Sequence, residues 1–183
     1  MQSNQEEIFI RGKTFTPFIK NKEIKKTINE LSKKIYHHYQ CSTPVFIGVL
    51  NGVIMFFSDF LKKYPGNCEI SFIQLSSYRN NTFSSGEVDI ISNWSLDLKN
   101  REVIIFEDII DTGATLKKIN KMIKNQKVKS FKIATLFFKP NLYDSNLPID
   151  YIGMSIPDRF IVGYGLDFDG IGRNIPDIYQ LKD

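Results

Sequence analysis

Val103-Ile104-Ile105-Phe106-Glu107-Asp108-Ile109-Ile110-Asp111-Thr112-Gly113-Ala114-Thr115-Leu116 decides how this chain is read. Its first four residues are large and apolar, a run that suits a strand buried on both faces. Glu107 and Asp108 stand where that strand is expected to end, and Asp111 follows. The small-residue loop Thr112-Gly113-Ala114-Thr115 then opens a helical pattern, with Leu116, Ile119, Met122 and Ile123 on one face and lysines between them. A helix start offers unpaired backbone N–H groups and partial positive charge. Gly113 permits close approach of a phosphate, and Thr112 and Thr115 can donate hydroxyl hydrogen bonds. Glu107 and Asp108 accept only, so they suit sugar hydroxyls or a hydrated cation, and Asp111 is free for proton transfer. The competing reading is a strand end with a capped helix, Asp111 or Thr112 being the N-cap. That accounts for one acid but not for three carboxylates at the end of a buried strand, where like charges repel. The segment therefore predicts a site for a sugar phosphate.

The periodicity predicts a helix over 22–40, with Ile24, Ile28, Leu31 and Ile35 on its apolar face. Short strands are expected over 45–50, 68–75, 88–91, 103–106, 132–138, 151–155 and 160–164, with helices over 52–63 and 115–125. Residues 1–20 are expected to be irregular with some strand, and 76–87 to be a polar mobile loop. Strands alternating with helices imply an α/β fold with an open, mostly parallel sheet. Such sheets bind ligands at the carboxyl ends of their strands, which is where Glu107–Asp111 fall. The segment after about residue 140 is rich in Pro, Asp and Gly, and is expected to fold back over the site as a small subdomain.

The chain has 183 residues, 42% hydrophobic and 24% charged, enough for a single domain over 1–183 with a sizeable core. Its net charge of +4 comes from dispersed lysines, which favours a polyanionic small molecule but not nucleic acid. Cys41 and Cys68 have no metal-ligand spacing, and His37-His38 lack a partner. The polar, acidic start does not resemble a secretion signal, and no apolar run is long enough to span a membrane. The expected location is cytoplasmic. No Walker loop or complete dinucleotide fingerprint occurs.

The 103–116 stretch resembles the phosphoribosyl-diphosphate (PRPP) motif of type I phosphoribosyltransferases, in the form found in the hypoxanthine/guanine branch. The likeness runs from about Ile19 to Leu181. It implies the type I fold: a mostly parallel central sheet flanked by helices, with a small hood from the chain ends. It also implies purine salvage, with PRPP plus hypoxanthine or guanine giving IMP or GMP and diphosphate, dependent on Mg2+. Relatives form homo-oligomers, dimers or tetramers.

By that resemblance, Glu107, Asp108, Ile109, Ile110, Asp111, Thr112, Gly113, Ala114 and Thr115 hold the ribose phosphate, with Asp111 as the catalytic base. Leu50-Asn51-Gly52 is similar to the family's diphosphate loop, with a cis peptide expected between Leu50 and Asn51. Many relatives carry lysine at the position of Asn51, so Asn51 is expected to act through its backbone. Arg173 would contact the diphosphate. Ser77 and Tyr78 match the lid, which would keep water from a glycosyl cation. Lys139 would donate to a 6-oxopurine; a strand-end lysine reaching water is the competing reading. In the signature 156–167, Phe160 would stack on the purine and the Ile161 backbone would read its edge. Asp167 would hold a second magnesium through water, with Glu107 and Asp108 as further water-mediated contacts. Two rivals remain. A PRPP-fold sensor should carry a basic nucleic-acid face; for an enzyme acting on another base, the Lys139 and Phe160–Asp167 matches argue against adenine and pyrimidines, while xanthine stays open as a side activity.

Overall fold

The computed structural model describes residues 6–77 and 88–182. Strands β3 (Val45–Leu50), β4 (Glu69–Ser77), β5 (Val88–Ser92), β6 (Glu102–Ile110), β7 (Ser130–Phe138) and β8 (Tyr151–Ser155) form one sheet, in the order β5-β4-β3-β6-β7-β8. All its neighbours run parallel except β4 and β5. Helices α1 (Asn21–Tyr39) and α2 (Ile54–Lys63) cover one face, and α3 (Ala114–Lys124) the other.

Strand alternation explains the two cores. Phe46, Ile104 and Phe106 point to the α1/α2 side, where Phe106 meets the rings of Phe46, Phe56, Phe57 and Phe60. Val45, Ile47, Val103 and Ile105 point to the α3 side against Ile119 and Ile123. The chain leaves β3 toward β4 and leaves β6 toward β7, so β3 and β6 flank the topological switch point, where such sheets bind ligands.

A second, antiparallel sheet forms the hood. Strands β1 (Ile8–Ile10), β2 (Lys13–Ile19), β9 (Ile161–Val162) and β10 (Ile178–Leu181) pair in the order β1-β2-β10-β9. Its small core holds Phe15, fully buried, with Val162 and Tyr179. Asp177 ties it to the main sheet's helices by accepting a 2.6 Å hydrogen bond from the backbone N–H of Asn21, at the start of α1.

Several boundaries move. The strand expected somewhere in the first twenty residues is a hairpin of β1 and β2, and the strand expected over 160–164 is only β9. The strand predicted over 103–106 continues to Ile110, because β7 goes on pairing with it: Glu107 opposite Thr135, Ile110 opposite Phe138. Strand β4 runs through Ser77, into the segment expected as a loop over 76–87, and the rest of that segment up to Glu87 lies outside the described residues. Neither Asp111 nor Thr112 is the N-cap of α3; Gly113 is, in a left-handed conformation at φ +82° that glycine adopts without cost.

Candidate active site

At the carboxyl ends of β3 and β6 lies a cavity of about 310 Å3, walled by Val49, Leu50, Gly52, Leu75, Asp108, Lys139, Phe160, Ile161, Leu166 and Asp167. Glu107, Ile109, Asp111 and Thr115 wall it too, and all four are shared with a smaller adjoining hollow of about 100 Å3, completed by Ile110, Thr112, Gly113, Ala114 and Leu116. The residues singled out in 107–115 thus surround two connected chambers.

Glu107 is buried, and its Oε1 has no hydrogen-bond partner among the described residues. Burial, then the neighbouring Asp108 charge, pushes its carboxyl well above the ordinary range. Burial likewise raises Asp108, to about 6, although the Ile109 N–H donates to its Oδ1 at 2.9 Å. Two raised carboxyls side by side form a place where a cation or hydroxyl donors are favoured. The Asp108 carboxylate also fixes its neighbour: a Cβ on Gly52 would lie 1.6 Å from Asp108 Oδ2. The Leu50–Asn51 peptide next to Gly52 is cis.

The small chamber is a helix-start cradle. The backbone of Gly113 passes so close to Tyr143 that a Cβ would sit 2.6 Å from Cε2 of that ring. The Thr112 carbonyl accepts from the Asp144 N–H at 3.3 Å, which closes the 112–115 loop from behind.

At the far wall, Lys139 is buried, not extended into water. Its ammonium lies 3.5 Å from Asp111 Oδ2 and 3.6 Å from Asp158 Oδ1. The other Asp111 oxygen, Oδ1, is buried without a hydrogen-bond partner among the described residues. Phe160 keeps 40% of its surface exposed, on the cavity wall, backed by Phe15 and Phe168 at 6.4 and 5.5 Å between ring centres. A half-open aromatic face held edgewise by other rings is a stacking platform.

Some expected residues stand apart. Arg173 is outside the cavity lining; its guanidinium binds Asp167 Oδ1 at 2.7 Å and donates to the Gly165 carbonyl at 2.7 Å. Asn51 is also off the lining and accepts from Gln74 Nε2 at 3.3 Å. Ser77 ends β4, and Tyr78 lies outside the described residues. Sequence reading gave no role to Asp158, although it stands within the quoted 156–167 signature, nor to Leu75 and Leu166, whose apolar side chains carry no signal. No three His, Cys, Asp or Glu side chains converge as a metal cluster among the described residues. None of their helices is long and apolar enough to cross a membrane.

This fold and site define a class. Residues 18–169 match the phosphoribosyl transferase domain, and the chain belongs to that family, with the type I fold. Within it, the chain is 41% identical to a hypoxanthine-guanine phosphoribosyltransferase of Staphylococcus aureus (strain Mu50 / ATCC 700699) over 160 residues, 87% of this chain and 89% of that one. It is 41% identical to the enzyme of the same name from Bacillus subtilis (strain 168) over 164 residues, 90% and 91% of the two chains. A crystal structure of a Staphylococcus aureus hypoxanthine phosphoribosyltransferase superposes with a TM-score of 0.85 at 39% identity, covering 91% of this chain and 90% of the other.

Proposed function

We propose that the chain transfers the 5-phosphoribosyl group of PRPP to hypoxanthine and guanine, forming IMP and GMP and releasing diphosphate. One observation carries the reading: an acceptor with no partner among the described residues (Asp111 Oδ1) and a buried ammonium (Lys139) share a cavity wall with an open aromatic face. A 6-oxopurine matches that set. Its ring stacks on Phe160, its 6-oxo group accepts from Lys139, and a proton of its imidazole ring passes to Asp111 as a ring nitrogen bonds C1′. Adenine carries an amino donor at the same position, so it would set donor against donor at Lys139.

The 5′-phosphate occupies the 111–115 cradle, where helix-start N–H groups and threonine hydroxyls converge. Glu107 and Asp108 accept from the ribose hydroxyls. The C1′–oxygen bond to diphosphate breaks as the C1′–nitrogen bond forms, and the 50–52 backbone receives the leaving group. Raised carboxyls at Glu107 and Asp108, with Asp167 on the same cavity's wall, suit magnesium. Those acids are too few for a protein cage, which fits an ion coordinated mainly by substrate oxygens and water. When bound, the ion supplies charge neutralisation for the departing diphosphate. Arg173 adds positive charge behind Asp167. The hood and the main sheet act as one catalytic unit, because the base platform belongs to one and the phosphate cradle to the other.

The test is to incubate the chain with PRPP, magnesium and hypoxanthine and to identify the nucleotide by chromatography. IMP that disappears on chelating magnesium is expected. Nucleotide binding with no turnover of any purine base would contradict the reading and favour a sensor.

A further inference from the structure

Tyr164 is a buried tyrosine in a left-handed conformation, φ +46°, between two glycines that are also left-handed. Glycine is the usual residue for such a position, so the side chain has a reason to be there. Its hydroxyl donates a 2.7 Å hydrogen bond to Oδ2 of Asp59, which lies 105 residues earlier, on α2. The Asp59 Oδ1 accepts from Lys62 at 3.0 Å.

These contacts close a circuit. Helix α2 grows directly out of the 50–52 loop: the Asn51 carbonyl accepts from the Ile54 N–H and the Val53 carbonyl from the Phe57 N–H. Asp59 therefore moves with that loop. Tyr164 precedes Gly165, whose backbone presses on the same loop. A Cβ on Gly165 would lie 2.0 Å from the Gly52 carbonyl oxygen. Gly165 also donates its N–H to the Arg173 carbonyl at 2.9 Å, and its own carbonyl accepts from the Arg173 guanidinium at 2.7 Å. Loop 50–52, α2, Asp59, Tyr164 and Gly165 form a closed chain, with Arg173 fastened to its last member.

We propose that Asp59 and Tyr164 are a positioning pair for the diphosphate end of the site. Their hydrogen bond sets how far the Gly165–Arg173 segment stands from the Leu50–Gly52 loop. Neither side chain lines the cavity. The pair acts through Gly165 and Gly52, and not through Phe160 or Lys139, so its loss should be felt by the diphosphate and not by the base. This rests on the reading of 50–52 as the diphosphate loop.

The experiment is steady-state kinetics in both directions on the full chain, with Tyr164→Phe, Asp59→Ala, Asp59→Asn and the double variant Tyr164→Phe/Asp59→Ala. Each of Tyr164→Phe and Asp59→Ala should raise KM for PRPP and for diphosphate about tenfold, the scale of one hydrogen bond to a charged group. KM for hypoxanthine should stay within about twofold. The double variant should match either single, as expected of two partners in one interaction. Asp59→Asn, which keeps an acceptor for the phenol, should restore most of the loss. Equal rises in every KM, additive losses, or an unchanged KM for PRPP with only a lower Tm would overturn the proposal. If the unaltered chain makes no nucleotide, the functional reading falls. The pair is then judged by calorimetric affinity for diphosphate, which the same variants should weaken and which no change would refute.

Discussion

Segment 107–115 and the hood sheet both wall one cavity and are built in opposite ways. The first is a single stretch of chain, running off a central strand into the start of α3. It is polar, it carries the carboxylates, and its strand half is held by β7, from Glu107 opposite Thr135 to Ile110 opposite Phe138, after the pairing of β6 with β3 has ended at Phe106. The hood is stitched from the two chain ends, with β2 pairing with β10 and Phe15 packing against Phe160 and Phe168. Its contribution is apolar, and it depends on contacts between residues far apart in sequence. The phosphate end should therefore fail by lost chemistry, and the base end by lost packing.

Asp111→Ala should mark the extreme of the first kind. Turnover should fall by about 10²–10⁴, the range for a general base, with far less change in PRPP affinity. Single-turnover kinetics beside PRPP binding measures both, and near-normal turnover would remove Asp111 from the base role. Gly52→Ala comes next. Its Cβ would collide with Asp108 Oδ2, so the loop must shift, and a shift of about 1 Å in a positioning element costs about 10²-fold in kcat/KM. On the other side of the comparison, Phe15→Ala should lower stability by about 3–5 kcal/mol, the usual loss for a buried phenylalanine. It should also raise KM for the base through Phe160 while leaving KM for PRPP nearly alone; equal effects on both would mean that the two ends are not separable. The smallest change is expected at Gly170→Ala. Among the described residues no atom lies within 4 Å of its added Cβ, so only the left-handed φ of +80° costs anything, about 1–2 kcal/mol in a melt and nothing in activity.

The same division explains what could be read in advance. The 103–116 stretch was legible because its strand, acids, loop and helix signals are consecutive, and the buried face of α1 was legible from Ile24, Ile28, Leu31 and Ile35. The end of β6 was misplaced because Glu107 and Asp108 look like a strand terminus, whereas pairing with β7 continues beneath them. Strand β10 gave no signal, since Ile178–Leu181 is short and its partner is at the other end of the chain. The cis peptide at Leu50–Asn51 came from resemblance, not from residue types. Likewise, nothing in one sequence could join Asp59 to Tyr164 or place Asp158 beside Lys139; only the folded chain does.

The proposed function turns on the buried Lys139 reading a 6-oxo group. The most direct measurement is the ratio of kcat/KM for hypoxanthine to that for adenine, in the unaltered chain and in Lys139→Met. A ratio of about 10² or more is expected in the first, because the site holds a buried donor that only an acceptor satisfies, and a collapse of that ratio in the second. Turnover of adenine on a par with hypoxanthine, or a high ratio that survives the substitution, would contradict it.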